Sequence, residues 1–597
     1  MGLMKIILAE TAGFCMGVKR AVDLSLEHAT RSSGKVYTIG PLIHNTQTVE
    51  MLKERGVVTF DESEQVNPGS TVLVRAHGIP LEVQNSYKEK GFSIVDGTCP
   101  KVKNVHRVIE KYRKMGFTIV ITGDKGHAEV IGLQGYAGDT GRLISSPADV
   151  DDLPHLDRIC LVSQTTFDKN IFDEIAGKIR KKFATSEVVI KKTICSATDQ
   201  RQNETRELAG RVDTMIVVGG KHSANTMRLE RIASEVKPGR VQHVETETEI
   251  NWNALADCKT VGITAGASTP NWMIKRVVEY IQLLDNTKKK DVPGSIKAMF
   301  NIFSNLNVFV AVGAVALYIT SCILQRISPA IAGMLLLFLY FFSMYLWNSL
   351  ASIENTRHLS LSRYKFYNEN KKILYTVAAL TIVILLVISL VQNKFLFYLM
   401  LFSVIAGSIY HINIFPPFLI SIIRSKSLKD IPASRDLFVA LAWGILLTFI
   451  PQITRGRLYF GLSTWLCFSL FFIQSFLRSL IFDLRDIEGD RIMGRETLVT
   501  IIGENRVKKA IQAILIISIT TLISYPVIFC NLWGNVINLD LDRAAFAGQA
   551  ASFLYVLCFM AWNKNNRASR SFFFNFIADA QFYISGLCAW LLSAAFK

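Results

Sequence analysis

Thr118-Ile119-Val120-Ile121 is an apolar run too short for a helix. It ends in a Gly- and polar-rich turn and passes into a helix-like segment. Val72-Leu73-Val74, Ile159-Cys160-Leu161-Val162 and Met215-Ile216-Val217-Val218 repeat the pattern. Short β-branched runs alternating with amphipathic stretches are the βαβ rhythm of parallel sheets covered by helices. The first 284 residues therefore read as α/β, with ligand chemistry expected in the loops that follow the strands.

Working outward, the rhythm stops at a basic tract, Asp285-Asn286-Thr287-Lys288-Lys289-Lys290-Asp291-Val292-Pro293-Gly294, and 285–297 read as a linker. Beyond it, 373–391 and 395–423 contain no Asp, Glu, Lys or Arg. A helix of about 20 apolar residues crosses a hydrocarbon core. The apolar stretches near 303–324, 330–350, 373–392, 395–413, 434–452, 458–477, 511–530, 545–562 and 573–595 thus predict an all-α polytopic membrane half of about nine spans over 298–597.

Charge and composition agree with two halves in different solvents. Hydrophobic residues make up 50% of the 597 and charged residues 19%, which excludes a disordered or collagen-like chain. Residues 1–300 carry 41 Lys+Arg against 36 Asp+Glu, and 301–597 carry 25 against 13. The excess base sits in the greasy half, as basic loops of a membrane protein would place it and a nucleic-acid-binding face would not. With nine spans and the first half cytoplasmic, the inward loops hold 19 Lys+Arg and the outward ones six, which satisfies the positive-inside rule. Met1 to Lys5 run straight into the strand-like Ile6-Ile7-Leu8-Ala9, which predicts no secretory signal peptide.

Of ten cysteines, Cys322, Cys467, Cys530, Cys558 and Cys588 lie in apolar spans and read as small core residues, as does Cys160. Cys258 has no polar partner motif. Cys15, Cys99 and Cys195 differ: each follows a strand-like run and precedes a helix. They stand 84 and 96 residues apart, spacings that form no zinc-ribbon or ferredoxin signature. Spacing alone leaves them either structural thiols or, since each falls in a strand-end loop, three soft ligands for an iron–sulfur cluster with one open iron.

Residues 4 to about 284 resemble the LytB/IspH family of 4-hydroxy-3-methylbut-2-enyl diphosphate reductases. The matching stretches include Gly13-Phe14-Cys15-Met16-Gly17-Val18, Ile43-His44-Asn45, Ala76-His77-Gly78, Asp96-Gly97-Thr98-Cys99-Pro100 and Gly126-His127-Ala128-Glu129-Val130. Ser163-Gln164-Thr165-Thr166, Thr193-Ile194-Cys195, Gly220-Lys221-His222-Ser223-Ala224-Asn225-Thr226 and Gly266-Ala267-Ser268-Thr269-Pro270 follow in the family's order. The resemblance implies three parallel-sheet α/β subdomains around a central [4Fe-4S] cluster held by Cys15, Cys99 and Cys195. It implies Glu129, Thr165 and His127 as the proton-handling residues, and His44, His77, Ser223, Ala224, Asn225 and Ser268 as diphosphate contacts. These are groups that can supply the donors a diphosphate needs and a proton for a leaving hydroxyl. Ala224 replaces the second serine of a common Ser-Ser-Asn version and offers only its backbone N–H.

Residues 298–597 resemble the UbiA superfamily of intramembrane prenyltransferases, through Asp483-Leu484-Arg485-Asp486-Ile487-Glu488-Gly489-Asp490-Arg491 and Leu428-Lys429-Asp430-Ile431-Pro432-Ala433-Ser434-Arg435-Asp436. That resemblance implies a Mg²⁺-diphosphate site at Asn348, Asp483, Asp486 and Asp490, because acids three or four apart share a helix face. The first acidic motif departs from the pattern: Ser352 and Thr356 stand where carboxylates are expected.

The sequence thus supports a reductive dehydroxylase of isoprenoid synthesis, acting on an allylic diphosphate with a ferredoxin- or flavodoxin-like donor. It would be tethered to the cytoplasmic membrane with the reductase half on the cytoplasmic side. Nucleic acid is not expected as a partner. The alternative is a UbiA-type prenyltransferase or lipid-binding protein with a regulatory N-terminal half.

Overall fold

Ile119, Val120 and Ile121 are fully buried, and their neighbours in the adjoining strand, Ile159 to Val162, are buried with them. Each such side chain stabilises the fold by about 1.5–3 kcal/mol, so a run apolar on both faces goes to the middle of a parallel sheet. The computed structural model describes residues 4–31, 35–43, 45–60, 69–288, 296–353, 360–410, 433–492, 497–532, 539–563 and 574–595. The chain falls into two compact units, the first built chiefly from the residues up to 289 and the second chiefly from those that follow.

The first unit holds three four-stranded sheets, every pairing in them parallel. The chain runs β1 (Lys5–Leu8), α1 (Met16–Arg31), β2 (Val36–Thr38), α2 (Thr46–Glu54), β3 (Val57–Thr59), β4 (Thr71–Val74), α3 (Leu81–Glu89), β5 (Ser93–Asp96) and α4 (Pro100–Lys114). It continues through β6 (Thr118–Thr122), α5 (Ala128–Ala137), β7 (Gly141–Ile144), β8 (Arg158–Ser163), α6 (Lys169–Lys182), β9 (Glu187–Ile190) and α7 (Ser196–Arg211). It closes with β10 (Thr214–Val218), α8 (Ala224–Val236), β11 (Val241–Val244), β12 (Thr260–Ala265) and α9 (Asn271–Lys288).

The strand orders are β3-β2-β4-β5, β7-β6-β8-β9 and β11-β10-β12-β1. All three follow one scheme, the third completed by the strand from the start of the chain. In each sheet the last position is an edge strand, β5, β9 or β1, and each leads into one cysteine: Cys99, Cys195 or Cys15. The one-cysteine-per-loop pattern of the sequence is thus a threefold structural repeat.

The second unit is helical throughout its described residues. Seven helices are long and apolar enough to cross a membrane: Ile331–Ala351, Lys371–Gln392, Ser434–Ile453, Leu462–Ile487, Glu504–Ser524, Arg543–Trp562 and Phe574–Ala595. Two of the nine expected spans fall short of that length. Near 303–324 the helix is broken: Met299–Asn305 and Val308–Leu324 meet at a 74° bend, and counting that pair as one span gives eight. The break lies at Asn307, whose φ of 58° is the left-handed conformation that asparagine tolerates better than most residues. Near 395–413 the helix Lys394–Ile409 has 16 residues, and 411–432 lie outside the described residues.

Leu380, Val383, Val387 and Val391 form an exposed stripe at helical spacing on Lys371–Gln392, a face suited to lipid. Polar groups turn inward, as hydrocarbon requires. Arg478 Nε donates to Asp579 at 2.5 Å and Nη1 to the Tyr345 hydroxyl at 3.2 Å. Gln474 Nε2 donates to Ser552 Oγ at 2.7 Å. Trp443 stacks on Phe341 at 3.9 Å between ring centres.

Candidate functional site

Three helices start where the three cysteines stand. Cys99 and Cys195 are the N-cap residues of α4 and α7, and Cys15 immediately precedes α1. A helix N-terminus carries partial positive charge, which favours thiolates over thiols. Main-chain bonds pin each cysteine to a neighbouring loop. The Cys15 N–H donates to Ala267 O at 3.1 Å, that of Cys99 to Ala76 O at 2.9 Å and that of Cys195 to Thr165 O at 2.9 Å. The loops holding Cys15, His77, Thr165, Cys99, Cys195 and Ser268 are therefore bonded to one another in pairs.

Burial pushes the Cys99 thiol above its ordinary value, and Cys15 and Cys195 both lie near enough to add to the rise. The close approach has a sequence cause at Gly17. A Cβ there would stand 2.6 Å from Cys99 Sγ, so only glycine lets Cys99 pack on the first turn of α1. Among the described residues, no three His, Cys, Asp or Glu side chains crowd closely enough to hold a single metal ion. A cluster of four irons is wider than one ion, and three half-buried thiols outside any disulfide, at helix starts whose N–H groups face Cys15 and Cys99, are a suitable donor set for it.

Glu129 enters from the first turn of α5 and is 1% exposed. Its Oε1 accepts the Thr165 N–H at 2.6 Å and its Oε2 the Thr165 hydroxyl at 2.9 Å. Burial raises this carboxyl to about 7, against the opposing pull of the two Thr165 bonds and with a small push from Asp124. His127 caps α5: its Nδ1 accepts the Glu129 N–H at 3.1 Å, which in the neutral ring leaves the proton on Nε2. The His127 and His77 rings meet edge to face, 5.3 Å apart. His44 lies outside the described residues.

Ser223 caps α8, accepting the Thr226 N–H at 3.4 Å, and places Ala224 and Asn225 in the first helical turn. Asn225 Nδ2 and Ser268 Oγ are buried and have no hydrogen-bond partner among the described residues. A buried unpaired donor costs about 1–3 kcal/mol, so two of them in adjoining loops mark a place that a polar ligand completes. The loops adjoin because residue 219 is glycine: its φ is +145°, and a Cβ there would stand 2.5 Å from Thr269 Oγ1.

Several residues of this region were given no role in the sequence analysis. Gln164 Oε1 accepts the Asp124 N–H at 2.9 Å, and its Nε2 donates to Thr166 Oγ1 at 2.8 Å. Arg228 donates to Thr166 O and, at 2.8 Å, to Asp124 Oδ1. Arg20 and Arg201 bond to loop carbonyls. Gln164 and Asp124 lie in or beside the matching stretches, whereas the arginines sit on helix faces where charge ordinarily meets solvent.

Two carboxylates of the expected Mg²⁺ site are paired with arginines. Asp483 is ion-paired with Arg435. Both oxygens of Asp486 accept from Arg485, at 2.8 and 2.6 Å. Asp490 is buried, the Asn348 main-chain carbonyl accepts the Ser352 hydroxyl at 2.7 Å, and Asn348 Oδ1 and Asp483 Oδ2 are buried with no hydrogen-bond partner among the described residues. Thr356 lies outside the described residues. The arginines beside Asp483 and Asp486 compete with Mg²⁺ for those carboxylates.

A family model described as LytB protein matches residues 6–282. The 4-hydroxy-3-methylbut-2-enyl diphosphate reductase of Alkaliphilus oremlandii (strain OhILAs) is 41% identical over 282 residues, 47% of this chain and 100% of that protein. A solved structure of (E)-4-hydroxy-3-methyl-but-2-enyl diphosphate reductase, described as the terminal enzyme of the non-mevalonate pathway, is 42% identical. It covers 47% of this chain and 100% of its own, with a TM-score of 0.38. An apo UbiA homolog from Aeropyrum pernix K1 covers 48% of this chain and 98% of its own at 14% identity, with a TM-score of 0.36. Because a relative 41% identical is matched along its entire length, the chain belongs, through its N-terminal half, to the LytB protein family.

Proposed function

We propose that residues 1–284 reductively dehydroxylate 4-hydroxy-3-methylbut-2-enyl diphosphate to isopentenyl and dimethylallyl diphosphate, and that 298–597 hold this activity at a membrane. The observation that carries the reading is the meeting of three cysteine loops with the buried Glu129–Thr165 pair. Family membership over the same residues supports it. Cys15, Cys99 and Cys195 would hold a [4Fe-4S] cluster. When bound, that cluster would pass the two electrons of the reduction one at a time from a ferredoxin- or flavodoxin-like donor.

The rest is the work of side chains. Asn225 and Ser268, with Ser223 and the Ala224 N–H at the N-terminus of α8, receive the diphosphate, whose charge the helix end favours. His77 and His44 belong to the same contact set. Departure of the hydroxyl as water takes one proton and the allylic carbon a second, which comes from solvent or substrate; Glu129, raised to about 7, holds the first near neutral pH. The Thr165 hydroxyl, already bonded to Glu129, carries the proton toward the substrate, and His127 fixes the start of α5 from which Glu129 projects.

The seven or eight candidate spans make a multi-pass membrane protein. In the nine-span topology the inward loops carry the excess of Lys and Arg, and by the positive-inside rule this supports a cytoplasmic reductase half. The tract 285–297 serves as the link, although its first residues, up to Lys288, continue α9.

Anaerobic purification of the full chain, with iron and sulfide analysis and turnover of the hydroxylated diphosphate by a reduced dye, tests the reading. Protein with full substrate turnover and no iron would refute it.

A further inference from the structure

Arg20, inside the family-like stretch that opens at Gly13, and Arg201, which no such stretch contains, hold comparable places five and six residues after a cysteine. Arg20 lies in the second turn of α1, which Cys15 precedes, and Arg201 in the second turn of α7, which Cys195 caps. Arg20 reaches to the loop that carries Cys99: Nη1 donates to Thr98 O at 3.0 Å and Nη2 to Asp96 O at 3.3 Å. Arg201 reaches to the loop that carries Cys15: Nε and Nη2 donate to Thr11 O at 3.0 and 2.6 Å, and Nη2 also to Gly13 O at 2.8 Å. Glu204, almost one turn further along α7, holds the amide side of that loop. It accepts the Glu10 N–H at 2.5 Å, the Thr11 N–H at 2.9 Å and the Thr11 hydroxyl at 2.5 Å. In α4, the third equivalent helix, Asn104 and Val105 occupy the corresponding positions.

The two arginines differ in burial. Arg201 is 5% exposed and lies within electrostatic reach of both Cys15 and Cys195. Arg20 is only half-buried. A guanidinium does not lose its proton in proteins, so Arg201 is a fixed positive charge beside two of the three thiols. Glu204 is half-buried, and solvent screens its opposing charge more strongly. Net charge and hydrogen bonding around a thiolate-held cluster are the levers by which a protein sets its potential.

We propose that Arg20 and Arg201 are positioning residues of the cluster site, each tying the helix that follows one cysteine to the loop that carries another, and that the buried charge of Arg201 also favours the reduced cluster. This rests on the three-cysteine cluster of the proposed function.

The test uses the full chain, reconstituted anaerobically, with Arg201→Gln, Arg201→Lys and Arg20→Gln. Circular dichroism checks the fold, chelator challenge reads iron retention, and a redox titration followed at the cluster absorbance reads the potential. Arg201→Gln should shift the ratio of oxidised to reduced cluster at fixed potential roughly tenfold toward oxidised, ~59 mV for a one-electron couple. It should also lose iron several-fold faster. Arg201→Lys keeps the charge but cannot span both carbonyls, so it should lose iron faster while its potential stays near the parent's. Arg20→Gln should lose iron faster with little change in potential. An Arg201→Gln protein matching the parent in both readouts overturns the proposal, and so does a Lys variant shifted as far as the Gln variant. A parent that takes up no cluster overturns the cluster reading itself, and this inference with it.

Discussion

Glu129→Gln isolates the proton that the reaction needs. The glutamine side chain would keep the shape of the site: its Oε1 can accept the Thr165 N–H, and its amide can donate to the Thr165 hydroxyl, so both bonds of the native carboxylate have substitutes. Only the transferable proton is lost. A positioned proton donor contributes about 10²–10⁴-fold, so kcat should fall by that factor while KM changes little. The carboxyl titrates at about 7 because burial disfavours its charge. The parent should therefore hold roughly nine-tenths of the active protonated form at pH 6 and a little under one-tenth at pH 8, giving a roughly tenfold fall in kcat that the variant lacks. Stability carries the same signature. Below pH 4.5 the group is protonated whether folded or not, and its contribution is fully present. As pH rises from 4.5 through about 7 the unfolded chain releases the proton first, and roughly 3 kcal/mol is lost above 7. Glu129→Gln should flatten this slope in urea unfolding followed by circular dichroism. A flat parent kcat between pH 6 and 8, or a Gln variant within tenfold of the parent, would refute the relay.

Cys15→Ala, Cys99→Ala and Cys195→Ala should each lose cluster iron in anaerobic analysis; three variants with parental iron would refute the ligand set. Gly17→Ala puts a methyl 2.6 Å from Cys99 Sγ, and should cost about 1–3 kcal/mol in urea unfolding and lower iron content. Arg478→Met leaves Asp579 buried without its partner and should destabilise the membrane half by about 3–5 kcal/mol in thermal melts in detergent. Removing both charges together should restore most of that loss. The full chain in lipid should show no Mg²⁺-dependent prenyl transfer to aromatic acceptors; robust transfer abolished by Asp486→Ala would make the protein bifunctional.

The sequence by itself determined the division into an α/β half and a membrane half. Strand-length apolar runs and charge-free stretches of span length are local signals, set by which solvent each segment can enter. The cysteine loops, Glu129 with Thr165, and the Ser223–Asn225 turn could be singled out only through the family resemblance, because spacing alone left the three cysteines open between structural thiols and cluster ligands. Local pattern did not reveal the break at Asn307, because an asparagine between apolar residues suits a helix or a left-handed turn, and packing chose the turn. Nor did it reveal that Asp483 and Asp486 face Arg435 and Arg485, since a pattern of acids cannot say which cation folds against it. Only the tertiary structure decided that β1, from the start of the chain, completes the third sheet, and that Arg20 and Arg201 reach loops 76 and 188–190 residues away. Sheet pairing and buried hydrogen bonds between distant segments are fixed by the closure of the whole core, and a single stretch of sequence holds no record of its partner.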